Sequence, residues 1–361
     1  MNKFSTRSNS TMLILFVLIF AIVIPIGRFS GLIAETTMNL WGRYLCFAIA
    51  ALGVDLIWGY TGILSLCQAF YFCLGGYCIG MHMLLKTGVE GVYGSTLPDF
   101  MVWNRVEKLP WFWEYFHTLP GTLILGVLVA GVAAGIVGYL TFRRRLKGVY
   151  FAILTQALAL AMWLVFLRNE TMLGGTNGLT DFKRLAGFDL SQSTTKMGLY
   201  FVSVFTLIVI YLLCLFLTTS KFGKVLIAIR DSEHRLRFTG YSIQYYKTVV
   251  YILGAVIAAI GGMLYVPQTG IITPGRMDVM ASILMVVWVA VGGRGSLIGA
   301  VLGALVVNFA YSILTAKFPG TWPFFLGGLF IVVVLLLPQG LIGLFSTLKR
   351  YLSKGNLLKR F

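Results

Sequence analysis

The sequence predicts an all-α, polytopic integral membrane protein with about ten transmembrane helices. Of its 361 residues, 58% are hydrophobic and 11% are charged, whereas about 25% are charged in soluble domains. Runs such as Met12–Ile24 and Leu329–Leu337 are apolar on every face, unlike the alternating strands of a membrane barrel. Eight stretches of at least 20 residues lack Asp, Glu, Lys and Arg, and each can cross a hydrocarbon core of about 30 Å as a helix: 8–27, 56–85, 115–142, 148–167, 197–220, 248–275, 295–316 and 318–348.

Two further stretches complete the predicted count of ten. Thr37–Trp58 is apolar but contains Arg43 and Asp55, and Met280–Val291 is apolar but short. Roughly 18 Å of helix rise separates Arg43 from Asp55, so the two could pair only through intervening groups. We interpret Asp55 as an interface or packing residue, with an ion-coupling site as the alternative.

The net charge of +17 comes from 29 Lys and Arg residues against 12 Asp and Glu residues. A basic balance of this size can indicate nucleic-acid binding. Ten spans, however, place 18 basic and two acidic residues on one side, and ten basic and nine acidic residues on the other. The positive-inside rule makes the basic side cytoplasmic. The charge therefore predicts orientation, with both termini cytoplasmic, and no nucleic-acid partner.

The pattern of spans predicts a single transmembrane domain over residues 1–361. The sequence contains no GxxxxGK[ST] phosphate loop, so nucleotide hydrolysis by this chain alone is excluded. The five cysteines fall inside predicted spans and form no CxxC, which supports neither a disulfide framework nor a metal site. A membrane-embedded enzyme would need clustered His, Asp or Cys residues, and the sequence shows no such cluster.

Glycine clusters predict two breaks in the helical pattern. One is Gly59-Tyr60-Thr61-Gly62, and the other is Gly292-Gly293-Arg294-Gly295-Ser296. Unwound backbone at membrane depth can bind a polar solute, and close packing of small residues is the equal alternative. The candidate path residues are glycines and uncharged polar residues at or near these breaks, together with one glutamine from a later span: Gly59, Thr61, Gly62, Ser65, Gln68, Gly75, Gly76, Gln156, Gly292, Gly293, Gly295 and Ser296.

A predicted outer loop contains Gly174, Gly175, Thr176, Asn177 and Gly178. Three glycines with a hydroxyl and an amide side chain are typical of an exposed, shaped turn. This loop could contact an outer partner, border the entry of a solute path, or serve as a plain connection.

The longest predicted cytoplasmic loop contains an amphipathic helix over residues 221–241. Apolar residues form one side, Gly240 stops the helix, and mixed charges form the other side. Such a helix can lie on the membrane surface or enter a groove in a protein partner. Mixed charges are poorly suited to attraction by anionic lipid, so we favour protein docking through Arg230, Asp231, Ser232, Glu233, Arg235, Arg237 and Gly240.

These residues resemble a known family. The run Arg230-Asp231-Ser232-Glu233, followed by Gly240 and Lys247, is similar to the coupling helix of ABC importer permeases of the branched-chain amino acid class. The resemblance spans nearly the whole chain, including the two glycine breaks and the Gly174–Gly178 loop. Stretches rich in Trp and Gly look most like the urea-transporter subgroup: 55–62, 109–113, 285–295 and 322–328.

Two features depart from the family pattern. Cys67-Gln68 stands after Leu66 where the family usually has Gly-His, and seven positions separate Glu233 from Gly240 where the general importer pattern has six.

The resemblance implies a transport subunit in the bacterial inner membrane that is not itself an enzyme. It would pair with a second permease subunit, two cytoplasmic ATPase subunits and a periplasmic solute-binding protein. ATP and Mg would be used by the ATPase partners, with no cofactor in this chain. The implied solute is urea. Branched-chain amino acids or short amides are the alternative, and a stand-alone carrier or channel is a third interpretation.

The predicted topology can be tested with a reporter fused after Phe361. Because ten spans return the chain to its starting side, an alkaline phosphatase fusion should be inactive and a green fluorescent protein fusion should be bright. The opposite pair of readouts would contradict ten spans.

Overall fold

The computed structural model describes residues 19–31, 34–144, 146 and 148–321, and beyond these 323–325, 327–328, 331, 335 and 340–343. A π-helical turn, Ile19–Val23, precedes the first α-helix. In chain order the α-helices are α1 (Ile24–Phe29), α2 (Glu35–Thr61), α3 (Gln68–Thr87), α4 (Asp99–Trp103), α5 (Leu119–Arg143), α6 (Gly148–Phe166), α7 (Ser193–Thr219), α8 (Lys221–Arg237), α9 (Ile243–Thr269), α10 (Val279–Gly292) and α11 (Leu297–Lys317).

Seven of these helices are long and apolar enough to cross a membrane, namely α2, α3, α5, α6, α7, α9 and α11. This confirms the predicted all-α, polytopic membrane fold. Helix α10 has 14 residues, a length of about 21 Å. The predicted spans 8–27 and 318–348 lie largely outside the described residues. The total of ten spans and the orientation therefore stay predictions.

The first predicted break begins at the last glycine of its cluster. Helix α2 continues to Thr61, and Gly62 ends it in the left-handed conformation, with φ at 78°. Its N–H donates to the Trp58 carbonyl at 3.1 Å. Residues 62–67 are not helical, and α3 begins at Gln68. Glycine suits this position because a left-handed φ is strained for other residues.

Helix α9 lies at the centre of the bundle and packs against α2, α3 and α5. Its backbone approaches α3 closely, because a side chain at Gly75 would collide with the Ala259 carbonyl and one at Gly262 with the Phe72 carbonyl. Such close approach is the usual way that small residues join helices in lipid. In the most apolar stretch of α3, 94% of the residues are buried, whereas in that of α5 only 22% are. Helix α3 therefore forms part of the core, and α5 lies at the periphery.

Short strands and 3-10 turns order the end of the bundle opposite α8. Strand β1 (Leu179–Thr180) pairs antiparallel with β4 (Ile271–Ile272), and β2 (Arg184–Leu185) pairs with β3 (Phe188–Asp189). Trp113 is buried in the same region, where its indole N–H donates to the Met172 carbonyl at 3.2 Å. We call this the strand end, and the opposite end the α8 end.

The packing of α3 on α9 predicts a sharp difference between two Gly→Ala variants. Gly75→Ala places a methyl group against the Ala259 backbone and should lower stability by about 1–3 kcal/mol, since overpacking forces helices apart. Gly135→Ala is the control, because its methyl group would meet the flexible Ile252 side chain at 3.5 Å. Thermal melts in detergent should show a lower midpoint only for Gly75→Ala. Equal midpoints for the two variants would contradict the close approach.

Candidate functional site

Three segments far apart in sequence meet at the α8 end. They are the last turn of α2, the connection between α10 and α11, and α8 itself. The Arg230 guanidinium of α8 donates through Nη1 to the Gly59 carbonyl at 2.8 Å. The structure thus joins the predicted docking helix directly to the first glycine cluster.

The second glycine cluster reaches the same point through Asp55. This carboxylate is fully buried, and its Oδ1 accepts a hydrogen bond from the Gly295 N–H at 2.7 Å. A side chain at Gly59 would collide with Asp55 Oδ1 and would lie 2.6 Å from the Gly295 nitrogen. Gly59 is therefore required by the close approach of two backbones, and Asp55 is a structural link between them.

Arg294 completes this contact between α2 and the α10–α11 connection. Its Nε donates to the Trp58 carbonyl at 3.2 Å, and its guanidinium lies 5.0 Å from the centre of the Trp58 ring, within cation–π range. Burial and the neighbouring Arg230 lower the pKa of the Arg294 guanidinium, against the opposing effect of Asp55. Arginine still keeps its charge in proteins, so two cations lie near the buried acid.

The region containing Asp55, Gly59, Arg230, Arg294 and Gly295 is called the junction below. It unites residues that the sequence analysis assigned separately to a path and to a docking helix.

Helix α8 is kinked and is also fixed to α9. Ser232 has φ at −162° and ψ at 72°, which divides the helix in two. Beyond the kink, the Glu233 carboxylate accepts from Arg237 at 2.9 Å and from Lys247 of α9 at 3.0 Å. Lys247 is largely buried, so this ion pair is screened less than a surface pair. Both parts of α8 are therefore anchored to the bundle.

The exposed surface of α8 ends in an aromatic residue that the sequence analysis did not single out. Phe238 is 92% exposed, and it directly follows the last helical residue, Arg237. Large exposed aromatic side chains are common anchors of protein interfaces. The signal in the sequence was an isolated Phe among charged residues just before Gly240. The helix ends at Arg237, three residues before the glycine expected to stop it.

A cavity of about 270 Å³ lies beneath α8. Thr61 and Gly62, two predicted path residues, line it together with Arg230, His234 and Lys247. The structure places these two residues beside the docking helix.

Gln68 and Ser65 belong to a buried polar network at the start of α3. The Gln68 amide donates to Ser65 Oγ at 3.4 Å, and within the described part of the chain its Oε1 has no hydrogen-bond partner. Cys67 Sγ lies 3.0 Å from the Tyr251 hydroxyl, which is also 3.0 Å from the Tyr71 hydroxyl. The Gln68 amide is buried and its acceptor is unused within the described residues. A role for Gln68 in a solute path stays a prediction.

Gln156 does not belong to this network. It is partly buried, whereas its neighbour Thr155 is fully buried. Thr155 Oγ1 accepts from the Leu66 N–H at 3.0 Å and so ties α6 to the nonhelical segment before α3. The sequence could not show which of these adjacent polar residues faces the bundle, because the rotation of α6 about its axis depends on its packing.

The remaining candidate path residues have local structural roles. A side chain at Gly76 would press on Val266 at 3.0 Å, and one at Gly292 would collide with the Gly299 carbonyl. Gly293 ends α10 with φ at 118°, while Ser296 caps α11 by accepting from the Gly299 N–H at 3.4 Å. Close packing, the alternative stated for these glycines, is what the structure shows at Gly292.

The loop of residues 174–178 is shaped by its glycines at the strand end. Gly174, Gly175 and Gly178 all have positive φ values, and a side chain at Gly178 would collide with the Ile272 carbonyl. Thr176 and Asn177 are exposed. The loop is thus a turn beside β1 whose backbone requires glycine and which presents two polar side chains.

No group of three or more His, Cys, Asp or Glu side chains in the described ranges is placed to hold a metal ion.

Comparison with known proteins places this geometry in a family context. The family model described as "Branched-chain amino acid transport system / permease component" matches residues 36–334. No solved structure matches the chain significantly.

Individual relatives are distant but cover most of the chain. The chain is 25% identical to the high-affinity branched-chain amino acid transport system permease protein LivM of Salmonella typhimurium, over 73% of this chain and 65% of the relative. It is 24% identical to the LivM protein of Escherichia coli, over 82% of this chain and 74% of the relative. It is also 26% identical to the autoinducer 2 import system permease protein LsrC of Salmonella paratyphi B, over 61% of this chain and 62% of the relative.

The junction predicts that removing the Asp55 carboxylate destabilises the α8 end. Asp55→Ala leaves the partly buried Gly295 N–H without its acceptor and should cost about 1–3 kcal/mol. Asp55→Asn keeps an oxygen acceptor and should cost less. Asp231→Ala is the control, because the Asp231 carboxylate is 59% exposed and exposed pairs contribute little. Thermal melts of the three variants should rank in that order, and a full effect in Asp231→Ala would contradict it.

Proposed function

Because the chain belongs to the family of permease components of branched-chain amino acid transport systems, we propose that it moves amino acids across the membrane as one subunit of an ABC importer. The family consists of permease subunits, so the chain is a multi-pass transport protein of the inner membrane and not an enzyme.

The junction is the observation that carries the mechanism. Arg230 fixes α8 to the end of α2, and Asp55 fixes α2 to the connection between α10 and α11. The Glu233–Lys247 pair fixes α8 to the start of α9. A force applied to α8 is therefore transmitted to α2, to the α10–α11 connection and to α9. Protein interiors are close-packed and have low compressibility, so they transmit such displacements to neighbouring helices.

We propose that the exposed surface of α8 docks on a cytoplasmic ATPase subunit, with Phe238 as the anchor. The polar residues assigned to docking divide between two tasks. Arg230 and Glu233 hold the bundle, whereas Arg235, Arg237 and Asp231 lie at the exposed surface. ATP and Mg act in the ATPase partners. Closure of these ATPase subunits would pull on α8.

The remaining partners follow from the same proposal. A second permease subunit would complete the pathway, and a periplasmic solute-binding protein would dock at the strand end. The loop of residues 174–178 supports the latter, because a preordered turn loses little conformational entropy on binding. Thr176 and Asn177 are its exposed contacts.

The solute is proposed to be a branched-chain amino acid. The resemblance in the sequence favoured urea, with amino acids as the alternative. The family model and the LivM relatives support the alternative, and nothing among them supports urea. The LsrC relative, a permease of an autoinducer 2 import system, shows that permeases outside amino acid transport also match, so uptake must be measured directly.

The test uses proteoliposomes that contain the chain with its partner permease, ATPase subunits and binding protein. ATP should drive the uptake of labelled leucine, and a hundredfold excess of urea should leave the uptake unchanged. Competition by urea, or uptake of labelled urea in place of leucine, would contradict the proposed solute.

Phe238→Ala should reduce ATPase co-purification and ATP-driven uptake at least tenfold, since truncated aromatic anchors typically cost 2 kcal/mol or more. Phe188→Ala is the matched control, because Phe188 is 66% exposed at the strand end. If Phe238→Ala copurifies with the ATPase as the unmodified chain does, the docking role fails.

A further inference from the structure

A cavity of about 160 Å³ lies within the bundle between α2, α3, α9, α10 and α11. A single water needs roughly 10–15 Å³ of such space, so the cavity has room for a small solute. It is lined by two arginines, Arg43 and Arg276, by the aromatic residues Phe47, Tyr265 and Trp288, and by Asn308. No predicted path residue belongs to its lining.

Arg43 is a cation placed well inside a span. It lies eight residues after Glu35, the first residue of α2, which corresponds to about 12 Å of helix rise. Its Nε donates to the Gln268 carbonyl at 3.2 Å. A guanidinium has five N–H donors, so this bond satisfies only one of them.

Neither arginine of the cavity has an acidic partner among the residues that the structure describes. Across the described ranges, no carboxylate lies within 4 Å of Arg43 or Arg276. Two other cations near the strand end share one acid, since Glu35 accepts from both Arg28 at 3.2 Å and Lys196 at 2.8 Å. Asp278, close to Arg276 in sequence, instead caps α10 by accepting from the Val279 N–H at 2.6 Å.

Arg43 is a partly buried cation within a span, where charge is costly and marks binding sites or pathways. Arg276 is exposed on the turn that precedes α10 and adds a second positive charge to the lining. Guanidinium groups match the two oxygens of a carboxylate with parallel hydrogen bonds. The cavity therefore offers its positive charge to an anionic group of a ligand.

Aromatic residues also line the cavity. The Phe47 ring centre lies 5.0 Å from that of Tyr265 and 5.0 Å from that of Trp288. The Arg276 guanidinium lies 5.5 Å from the centre of the Tyr265 ring, so charge and apolar surface adjoin. Asn308 Nδ2 donates to the Ala304 carbonyl at 2.7 Å, which leaves Oδ1 as the side-chain acceptor for an ammonium group.

We infer that this cavity is a solute-binding site for a small molecule with a carboxylate next to an aliphatic group. Arg43 and Arg276 hold the carboxylate, and Phe47, Tyr265 and Trp288 contact the aliphatic group. The inference rests on the proposed amino acid transport and adds the site and the groups that recognise the solute. Urea has neither a charge for the arginines nor an aliphatic group for the aromatic residues.

The test uses Ala281→Cys as a reporter, because Ala281 lines the cavity and all five native cysteines are buried. In the assembled complex in lipid nanodiscs, leucine should slow labelling of this cysteine by a methanethiosulfonate reagent at least fivefold. Leucinamide, which lacks the carboxylate, and urea should give no protection. Equal protection by leucinamide or urea would overturn the inference.

Variants of the arginines give the second arm. Arg43→Gln in the Ala281→Cys background should abolish protection by leucine, and Arg43→Lys should retain part of it. Arg28→Gln is the control, because it removes a cation that is paired with Glu35 outside the cavity lining. ATPase co-purification reports that each variant is assembled. Full protection in assembled Arg43→Gln would overturn the inference.

The two proposals fail separately in this design. Leucine transport without leucine protection of the cysteine would remove the cavity and leave the transport function. Leucine protection without leucine transport would leave the cavity and remove the transport function. The absence of both would overturn both.

Discussion

The hydrogen bond from the Gly295 N–H to the Asp55 carboxylate is the constraint on which the α8 end depends. A buried carboxylate needs hydrogen bonds, and a backbone N–H at a helix break needs an acceptor. Each group supplies what the other lacks. The bond is possible only because Gly59 has no side chain in the way. Arg230 then donates to the carbonyl of the same glycine, so the position of α8 depends on the hydrogen bond between Gly295 and Asp55.

Much of the fold was predictable because lipid restricts the choices of the chain. Backbone groups in a membrane must be paired within the segment, so long apolar runs can only be helices here. The helices α2, α3 and α5 follow from this rule. The break after α2 also followed, because a glycine such as Gly62 can adopt the left-handed φ that ends a helix. Its position at Gly62 was less predictable, since the last turn of α2 is held by contacts with Arg230 and Arg294.

The grouping of the site residues could not be predicted in the same way. The sequence assigned Gly59 and Gly295 to a path and Arg230 to a docking surface, because it shows which residues are unusual but not which ones meet. Long-range contacts between residue 59, residue 230 and residue 295 decide their roles. Phe238 was overlooked for a related reason: its exposure follows from where the buried residues of α8 are placed, and only the packed bundle determines that.

Arg43 and Asp55, which both lie beyond the first turn of α2, show how differently one helix can use charge. Asp55 Oδ1 accepts from the Gly295 N–H, while its buried Oδ2 has no hydrogen-bond partner among the described residues. The charges of Arg294 and Arg230 lie nearby. Arg43 receives one carbonyl and no carboxylate among the described residues. Since about 18 Å of helix separates them, neither can neutralise the other. In the proposed mechanism, the acid stabilises the end on which the ATPase acts, and the arginine keeps its charge available for the solute at the other end. Helix α2 would then connect the two ends through one continuous segment, Glu35–Thr61.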